Sequence, residues 1–249
     1  MTLDQFRAAF VVATRSHNAL ASPATASVGL GVVPIMQTLP VVGAVGAAGG
    51  QNLAMTAQAT ILVGTVTFVA ASIAVQSSMD RVIGVAAYVV PHGLLRPSMF
   101  TGKIVLAALL SLPATAVQLF GVSLTGASVW RTALLVPAAL LCGSALGVGI
   151  SLWSLSAKDP FAVANLAPYL LPVTSGAAVP LATFPVQLQV ISAAIPGTGL
   201  AQAARGVVPP GVGMLWDLAS STGWLLVTLA RAKSISARVR DGQLTSEVL

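Results

Sequence analysis

Long apolar runs without a charged residue divide the chain into segments of membrane-spanning length. No Lys, Arg, Asp or Glu occurs in the 64 residues 16–79. Residues 104–130, 132–157 and 160–204 are equally free of charge. Because a helix that crosses a bilayer needs about 20 mostly apolar residues, this pattern predicts an all-α integral membrane protein.

Six spans account for these runs. We place them near residues 25–46, 57–77, 104–123, 132–153, 162–182 and 211–230, within one transmembrane domain that covers residues 1–249. Residues 1–15 precede them and carry apolar residues at helical spacing, namely Leu3, Phe6, Phe10 and Ala13. That spacing predicts an amphipathic helix on the membrane surface; a solvated tail is the alternative.

The basic residues alternate between the two sides that six spans define. One side receives ten of the 12 Lys and Arg residues: Arg7, Arg15, Arg81, Arg96, Lys103, Lys158, Arg231, Lys233, Arg238 and Arg240. Only Arg131 and Arg205 fall on the other side. Lys and Arg concentrate on the cytoplasmic side of membrane proteins, so we expect both termini, including the tail 231–249, in the cytoplasm and the chain in the cell membrane.

The amino-acid composition agrees with a lipid environment and excludes several classes of protein. Hydrophobic residues make up 56% of the chain and charged residues 7%, whereas soluble domains contain about 25% charged residues. The net charge of +6 comes from basic residues in the predicted cytoplasmic segments. The sequence has no stretch of basic residues with interleaved aromatics, so it does not predict nucleic-acid binding. The single cysteine, Cys142, excludes an intrachain disulfide framework.

Two connections are too long to be simple turns. Residues 78–103 form a cytoplasmic segment with charged residues and prolines. Residues 183–210 are external, apolar and interrupted by prolines. A segment of this second kind cannot span, and it predicts a re-entrant or surface-lying helical hairpin at the outer leaflet.

Glycines four residues apart occur at the end of the first span and inside the fourth. Gly46 and Gly50 form one pair, and Gly143 and Gly147 form the other. Such pairs let helix backbones approach closely in lipid, so we interpret them as packing positions within the subunit or in a dimer.

Catalytic and metal-binding patterns are missing from the sequence. It has no His-Glu-x-x-His helix, no GxSxG elbow and only two histidines, His17 and His92. We therefore expect no enzyme activity, no metal and no cofactor bound by this chain. Asp217 is the one candidate for an ionisable group within a span. It is either an interfacial acid near the start of its helix or the partner of Arg205 at an outer gate.

The two long connections resemble the type-2 ABC transporter permeases, the membrane subunits of drug, antibiotic and polysaccharide exporters. The first match contains Ser77-Ser-Met-Asp80-Arg81-Val-Ile-Gly84, Val89-Val90-Pro91 and Met99-Phe-Thr-Gly102-Lys103. The second contains Ser175-Gly176-Ala-Ala-Val179-Pro180-Leu181, Phe184-Pro185, Ile195-Pro196 and Ala204-Arg205-Gly206-Val207. Two features depart from the family pattern: Ile83-Gly84-Val85 has no threonine, and the acidic residue that usually follows is missing.

The resemblance implies that ATP binding and the transport path belong to different subunits. This chain has no GxxxxGK[ST] loop, so ATP and Mg²⁺ would bind to a separate ABC ATPase subunit, present in two copies. A second permease subunit, identical or related, would complete the transport path. The family pattern assigns ATPase coupling to Asp80, Arg81, Gly84, Pro91, Gly102 and Lys103. We assign the external gate or re-entrant segment to Gly176, Pro180, Pro185, Pro196, Arg205 and Asp217.

The apolar spans favour a hydrophobic or amphipathic cargo over a small ion. Two other functions remain open at this stage. The chain could be a channel or secondary carrier outside the ABC class, or it could be a membrane scaffold in a larger assembly.

Overall fold

A computed structural model describes most of the chain as helices. It describes residues 3–17, 20–33, 35–36, 43, 53–85, 97–123 and 125–240, apart from the side chains of 97–99 and 236–240. No strand occurs within these ranges. The all-α class predicted from the apolar runs is therefore confirmed.

Nine α-helices follow one another along the described ranges. They are α1 (Leu3–Ser16), α2 (Pro23–Ser27), α3 (Leu53–Val82), α4 (Pro97–Ser123), α5 (Val129–Ser156), α6 (Ala162–Thr174), α7 (Val186–Ala193), α8 (Thr198–Ala204) and α9 (Pro210–Arg240). A π-helical segment, Val28–Val32, continues α2, and a 3₁₀ turn, Leu181–Thr183, precedes α7.

Four of these helices are long and apolar enough to cross a membrane. They are Leu53–Val82, Phe100–Ser123, Val129–Ser156 and Pro210–Ile235, which correspond to the second, third, fourth and sixth predicted spans. The chain is thus a membrane-embedded α-helical protein. Most of the first predicted span, 25–46, lies outside the described residues. The fifth, 162–182, begins with a helix of only 13 residues, α6, so the count of six stays a prediction.

Helix α3 forms the centre of the bundle. It packs against α4, α5, α6 and α8. Its largest fully buried side chains include Ile61, Leu62 and Ile73. Because α3 is enclosed on several sides, the positions of its neighbours depend on how closely each can approach it.

Small residues of α5 set the closest of these approaches. A Cβ atom placed on Gly143 would lie 2.7 Å from the carbonyl oxygen of Val66 and 2.8 Å from the Cβ of Val69. At Gly147 it would lie 3.0 Å from the Cβ of Ile73. The α3–α5 contact therefore has no room for a side chain at either glycine. The other predicted glycine pair, Gly46 and Gly50, lies outside the described residues.

Substituting Gly143 tests this contact. We expect Gly143→Ala to lower the free energy of unfolding by about 1–3 kcal/mol, since the added methyl group forces the two backbones apart. Gly121→Ala is the matched control, because a Cβ on Gly121 meets nothing within 4 Å. Tryptophan fluorescence during thermal unfolding in detergent reports both. Equal unfolding temperatures for the two variants would contradict the close contact.

Candidate functional site

A buried ion pair joins the end of α3 to the start of α4. The Lys103 ammonium group donates to the carboxylate of Asp80 and, at 3.0 Å, to the hydroxyl of Ser77. It also lies 5.8 Å from the centre of the Phe100 ring. The structure thus brings together two of the residues assigned to ATPase coupling. Their pairing holds the two ends of the predicted cytoplasmic segment side by side.

Hydrogen bonds from Arg81 link the same end of α3 to the end of α5. Its guanidinium donates to the carbonyl oxygen of Ser154 at 3.0 Å and to that of Ala157. The Ser78 hydroxyl donates to the carbonyl oxygen of Pro160 at 2.6 Å. Polar side chains of α3 therefore bind carbonyl groups at and beyond the end of α5, which have no partner within their own helix.

The N-terminal helix α1 lies against the start of α4. A Cβ on Gly102 would be 2.6 Å from the carbonyl carbon of Ala9 and 2.9 Å from the amide nitrogen of Phe10. Only glycine allows such an approach. Helix α1 is thereby brought to the end of the bundle that holds the ion pair.

Beyond α3 the chain is apolar and exposed. Val82 and Ile83 are each 60% exposed. Gly84 follows in the left-handed region (φ 82°), with its amide bonded to the Arg81 carbonyl oxygen. We call residues 82–85 the α3 end segment. Pro91, the remaining residue of the coupling set, lies outside the described residues.

Away from the ion-paired end, near the middle of α3, Asp217 binds the turn between α7 and α8. Its carboxylate accepts hydrogen bonds from the amides of Gly197 (3.0 Å), Gly199 (3.0 Å) and Leu200 (2.8 Å). The residue is 1% exposed. These amides belong to the first turn of α8, where backbone donors lack partners within the helix. Asp217 of α9 therefore supplies the acceptors that α8 needs.

The turn between α7 and α8 faces the middle of the long helices. A Cβ on Gly197 would lie 3.3 Å from Val66, which is about 20 Å along α3 from Leu53 at about 1.5 Å per residue. The indole of Trp216 donates to the Ala193 carbonyl oxygen at 2.8 Å, and that of Trp224 to Ala194 at 2.9 Å. Gly206, after α8, lies near Met55 close to the start of α3. The segment that contains α7 and α8, called the hairpin below, thus lies beside α3 from near its start to its middle.

Arg205 holds the loop after α6. Its guanidinium donates to the carbonyl oxygens of Gly176 (2.8 Å) and Ala177 (2.7 Å). Burial lowers the pKa of Arg205, whose ordinary value is so far above neutrality that the side chain keeps its charge. Arg205 and Asp217 therefore each bind backbone groups, and the structure does not contain the pairing considered for an outer gate.

The three prolines assigned to the gate mark turns around the hairpin. Pro180 immediately precedes the 3₁₀ turn and Pro185 immediately precedes α7. Pro196 lies in the turn before Gly197, whose φ of 101° favours glycine. Together they break the apolar segment into short pieces that fold back along the bundle.

A small cavity lies between α3 and the residue that follows α1. Its volume is about 220 Å³, and Thr67, Gln76 and His17 are among its lining residues. The buried side-chain polar atoms of Thr67 and Gln76 have no hydrogen-bond partner in the described part of the chain. Burial lowers the pKa of His17, so its imidazole is neutral at pH 7. Since unpaired buried polar groups are costly, a water molecule or a polar ligand group here would stabilise the bundle.

Sequence reasoning missed the residues that complete these arrangements. Ser77 lies one helical turn before Asp80, a spacing that could have indicated a shared face. Trp216 and Trp224 had no signal in the sequence, because their acceptors are backbone groups of another element. Within the described ranges, no group of three or more His, Cys, Asp or Glu could hold a metal ion.

Removing one partner of the ion pair tests its role. We expect Lys103→Met to lower the free energy of unfolding by about 3–5 kcal/mol, because it leaves the Asp80 carboxylate buried without a countercharge. The double variant Lys103→Met, Asp80→Leu should recover much of that loss. Labelling of the buried thiol of Cys142 by a maleimide dye on heating reports unfolding. Equal instability of the single and double variants would show that the two side chains are not coupled.

Asp217→Asn tests the attachment of the hairpin. The amide has one acceptor oxygen and no charge, so we expect a loss of about 1.5–3 kcal/mol in stability and faster hydrogen exchange at the Gly197, Gly199 and Leu200 amides. Asp4→Asn, an exposed acid of α1, is the control and should change neither quantity. Unchanged exchange at the three amides in Asp217→Asn would rule out the attachment.

Comparison with known proteins yields no match to the chain among protein-family models, curated proteins or solved structures. Function must therefore be argued from the sequence motifs and from the geometry of the two ends of the bundle.

Proposed function

We propose that this chain is the membrane subunit of an ATP-driven exporter of the type-2 ABC permease class. It would move a hydrophobic or amphipathic molecule out of the cell across the plasma membrane. Two copies of a separate ABC ATPase would supply the energy. A second permease subunit, identical or related, would complete the path.

The observation that carries the proposal is the way the resembling motifs pair up in space. The first motif contributes Asp80 and Lys103, which form one buried ion pair, and Gly102, which holds α1 at the same end. The second motif contributes Gly176 and Arg205, which bond to each other. Residues far apart within each motif are thus in contact, as expected if each motif builds one functional unit.

The basic residues support an orientation. Arg81, Lys103, Lys158 and Arg231 lie at or near the end that carries the ion pair, where Arg231 also bonds to Ser156 of α5. By the positive-inside rule this end would be cytoplasmic. The hairpin of α7 and α8 would then enter from outside as a re-entrant element, and both termini would be cytoplasmic with six spans in all.

The two buried carboxylates already have partners, and this favours an ATP-driven exporter over an ion-coupled carrier. A carrier of that kind needs an ionisable group at membrane depth that can exchange its ion or proton. Asp80 is paired with Lys103, and Asp217 is occupied by three backbone amides. Neither acid is available in this conformation, so an external energy source such as an ATPase is the better explanation.

The mechanism would use the ion-paired end as a docking surface. The α3 end segment offers apolar side chains next to a helix end that is fastened to α4 and α5. ATPase subunits that contact it more favourably in one arrangement of the bundle would bias the bundle towards that arrangement. Because Arg81 binds carbonyl groups of α5, its substitution would disturb the bundle itself, and an exposed residue is the better probe of docking.

Ile83→Glu tests the docking surface. The chain is co-expressed with a candidate ABC ATPase subunit that carries a Walker A motif. We expect a stable complex and permease-dependent ATP hydrolysis. Ile83→Glu should weaken association about tenfold or more, because it places a charge in an apolar contact.

Val186→Glu is the matched control for this experiment. Val186 is an apolar residue of similar exposure, 69%, at the hairpin end, and its substitution should leave ATPase binding unchanged. Absence of any complex with the wild-type chain would refute the exporter function. Equal weakening by both variants would refute only the assignment of the docking surface.

A further inference from the structure

A wide groove opens at the hairpin end of the bundle. It lies between the first turns of α3, α5 and α9 and the end of α8, and its volume is about 900 Å³. Sites for small molecules typically measure about 300–1,000 Å³. The groove is therefore large enough for an organic molecule, and it touches the hairpin that Asp217 holds.

The walls of the groove are mainly hydrocarbon. Met55 and Leu62 of α3, Leu134 and Leu135 of α5, and Met214 of α9 line it. Leu62 and Leu135 are buried, whereas Met55 and Leu134 are exposed at its edge. A ligand with an apolar body would remove this surface from water and be stabilised in proportion to the area covered.

One cation lies in this apolar setting. Arg131 lines the groove and is exposed. Its guanidinium has no hydrogen bond or ion pair with any described residue. It occupies the first turn of α5, where the helix dipole disfavours a cation and favours an anion. An anionic group placed here would interact favourably with both the guanidinium and the helix end.

No carboxylate of the described chain is available to fill that role. Asp217 is bound to the amides of α8, and Asp80 is paired with Lys103. Asp4 belongs to α1, which packs at the opposite end, and Asp159 follows the far end of α5. The groove thus combines an apolar wall with an unneutralised guanidinium.

We propose that this groove binds a single-chain anionic amphiphile, with its acidic headgroup on Arg131 and its hydrocarbon chain along the wall formed by α3, α5 and α9. Because the hairpin forms one side of the groove, we assign the bound molecule as cargo in the outer part of the transport path. The role as cargo rests on the proposed exporter function; binding itself needs no ATPase.

Binding is measured on the purified full chain in phosphatidylcholine nanodiscs. The probe is a palmitate brominated on its chain, which quenches tryptophan fluorescence. Trp130 precedes Arg131 in the sequence and is 72% exposed, so we expect a bromine atom on a chain bound beside Arg131 to quench its fluorescence. We expect saturable quenching in the wild-type chain that uncharged hexadecanol displaces at least about tenfold less effectively than unlabelled palmitate does, because a charge-assisted hydrogen bond is lost.

Two variants locate the site. Arg131→Gln should raise the dissociation constant about tenfold or more. Arg231→Gln makes the same chemical change at the other end of the bundle and should leave it unchanged. Equal affinity of wild type and Arg131→Gln would overturn the proposal. Met214→Trp, which fills the groove, should also weaken binding, and full affinity in that variant would equally overturn it.

Two competitors separate the cargo from other anions. Inorganic phosphate should not displace the probe; if it does so as well as palmitate, the groove is an anion site and the amphiphile assignment is wrong. Phosphatidylglycerol in the nanodisc should leave probe binding within about twofold. If it abolishes binding, the occupant is a membrane lipid and the cargo assignment is wrong. Since no ATPase takes part, these outcomes are independent of the test of exporter function.

Discussion

Backbone groups inside a bilayer have no water to bond to, and every break in a helix at that depth must find its partners within the protein. The same requirement is met in the long irregular segment between α6 and α9, part of which packs against the middle of α3. Its free amides are bound by Asp217, and its free carbonyl groups are bound by Arg205, Trp216 and Trp224. The charged and indole side chains of this region thus form hydrogen bonds with main-chain groups that lack partners in a helix. Without them, a segment interrupted by so many prolines could not lie beside the middle of α3.

The opposite end of the bundle uses polar side chains in a different way. There Asp80 and Lys103 neutralise each other, and Arg81 closes the end of α5. Next to these contacts, Val82 and Ile83 of the α3 end segment are exposed. One part of the described bundle therefore uses polar side chains to bind the main chain of the α7–α8 segment, and the other uses them to join the ends of α3, α4 and α5. This difference is compatible with the proposed docking of an ATPase at the second end.

Much of the helical architecture could be predicted from the sequence, because charge-free apolar runs have the length that a helix needs to cross a bilayer. Helix α6 covers residues 162–174, the first part of the predicted span 162–182, and it continues through Pro168 and Pro172. The hydrogen-bond and ion-pair partners of individual side chains were harder to predict than the positions of the helices. Asp217 is a candidate from the sequence, but the three hydrogen bonds that its carboxylate accepts come from a turn about 20 residues earlier in the chain, and hydropathy does not reveal the path of a turn. Likewise Asp80 and Lys103 were assigned to one segment without any sign that they touch.

The contact of Gly102 with Ala9 concerns two main chains rather than two side chains. Side chains can rotate to absorb a displacement, whereas backbones in contact at van der Waals distance cannot. Helix α1 therefore cannot come closer to the start of α4 than it already is, and a movement of α1 toward α4 would displace α4 as well. The contact sets a minimum distance between the axes of these two helices, which a larger residue at position 102 would increase.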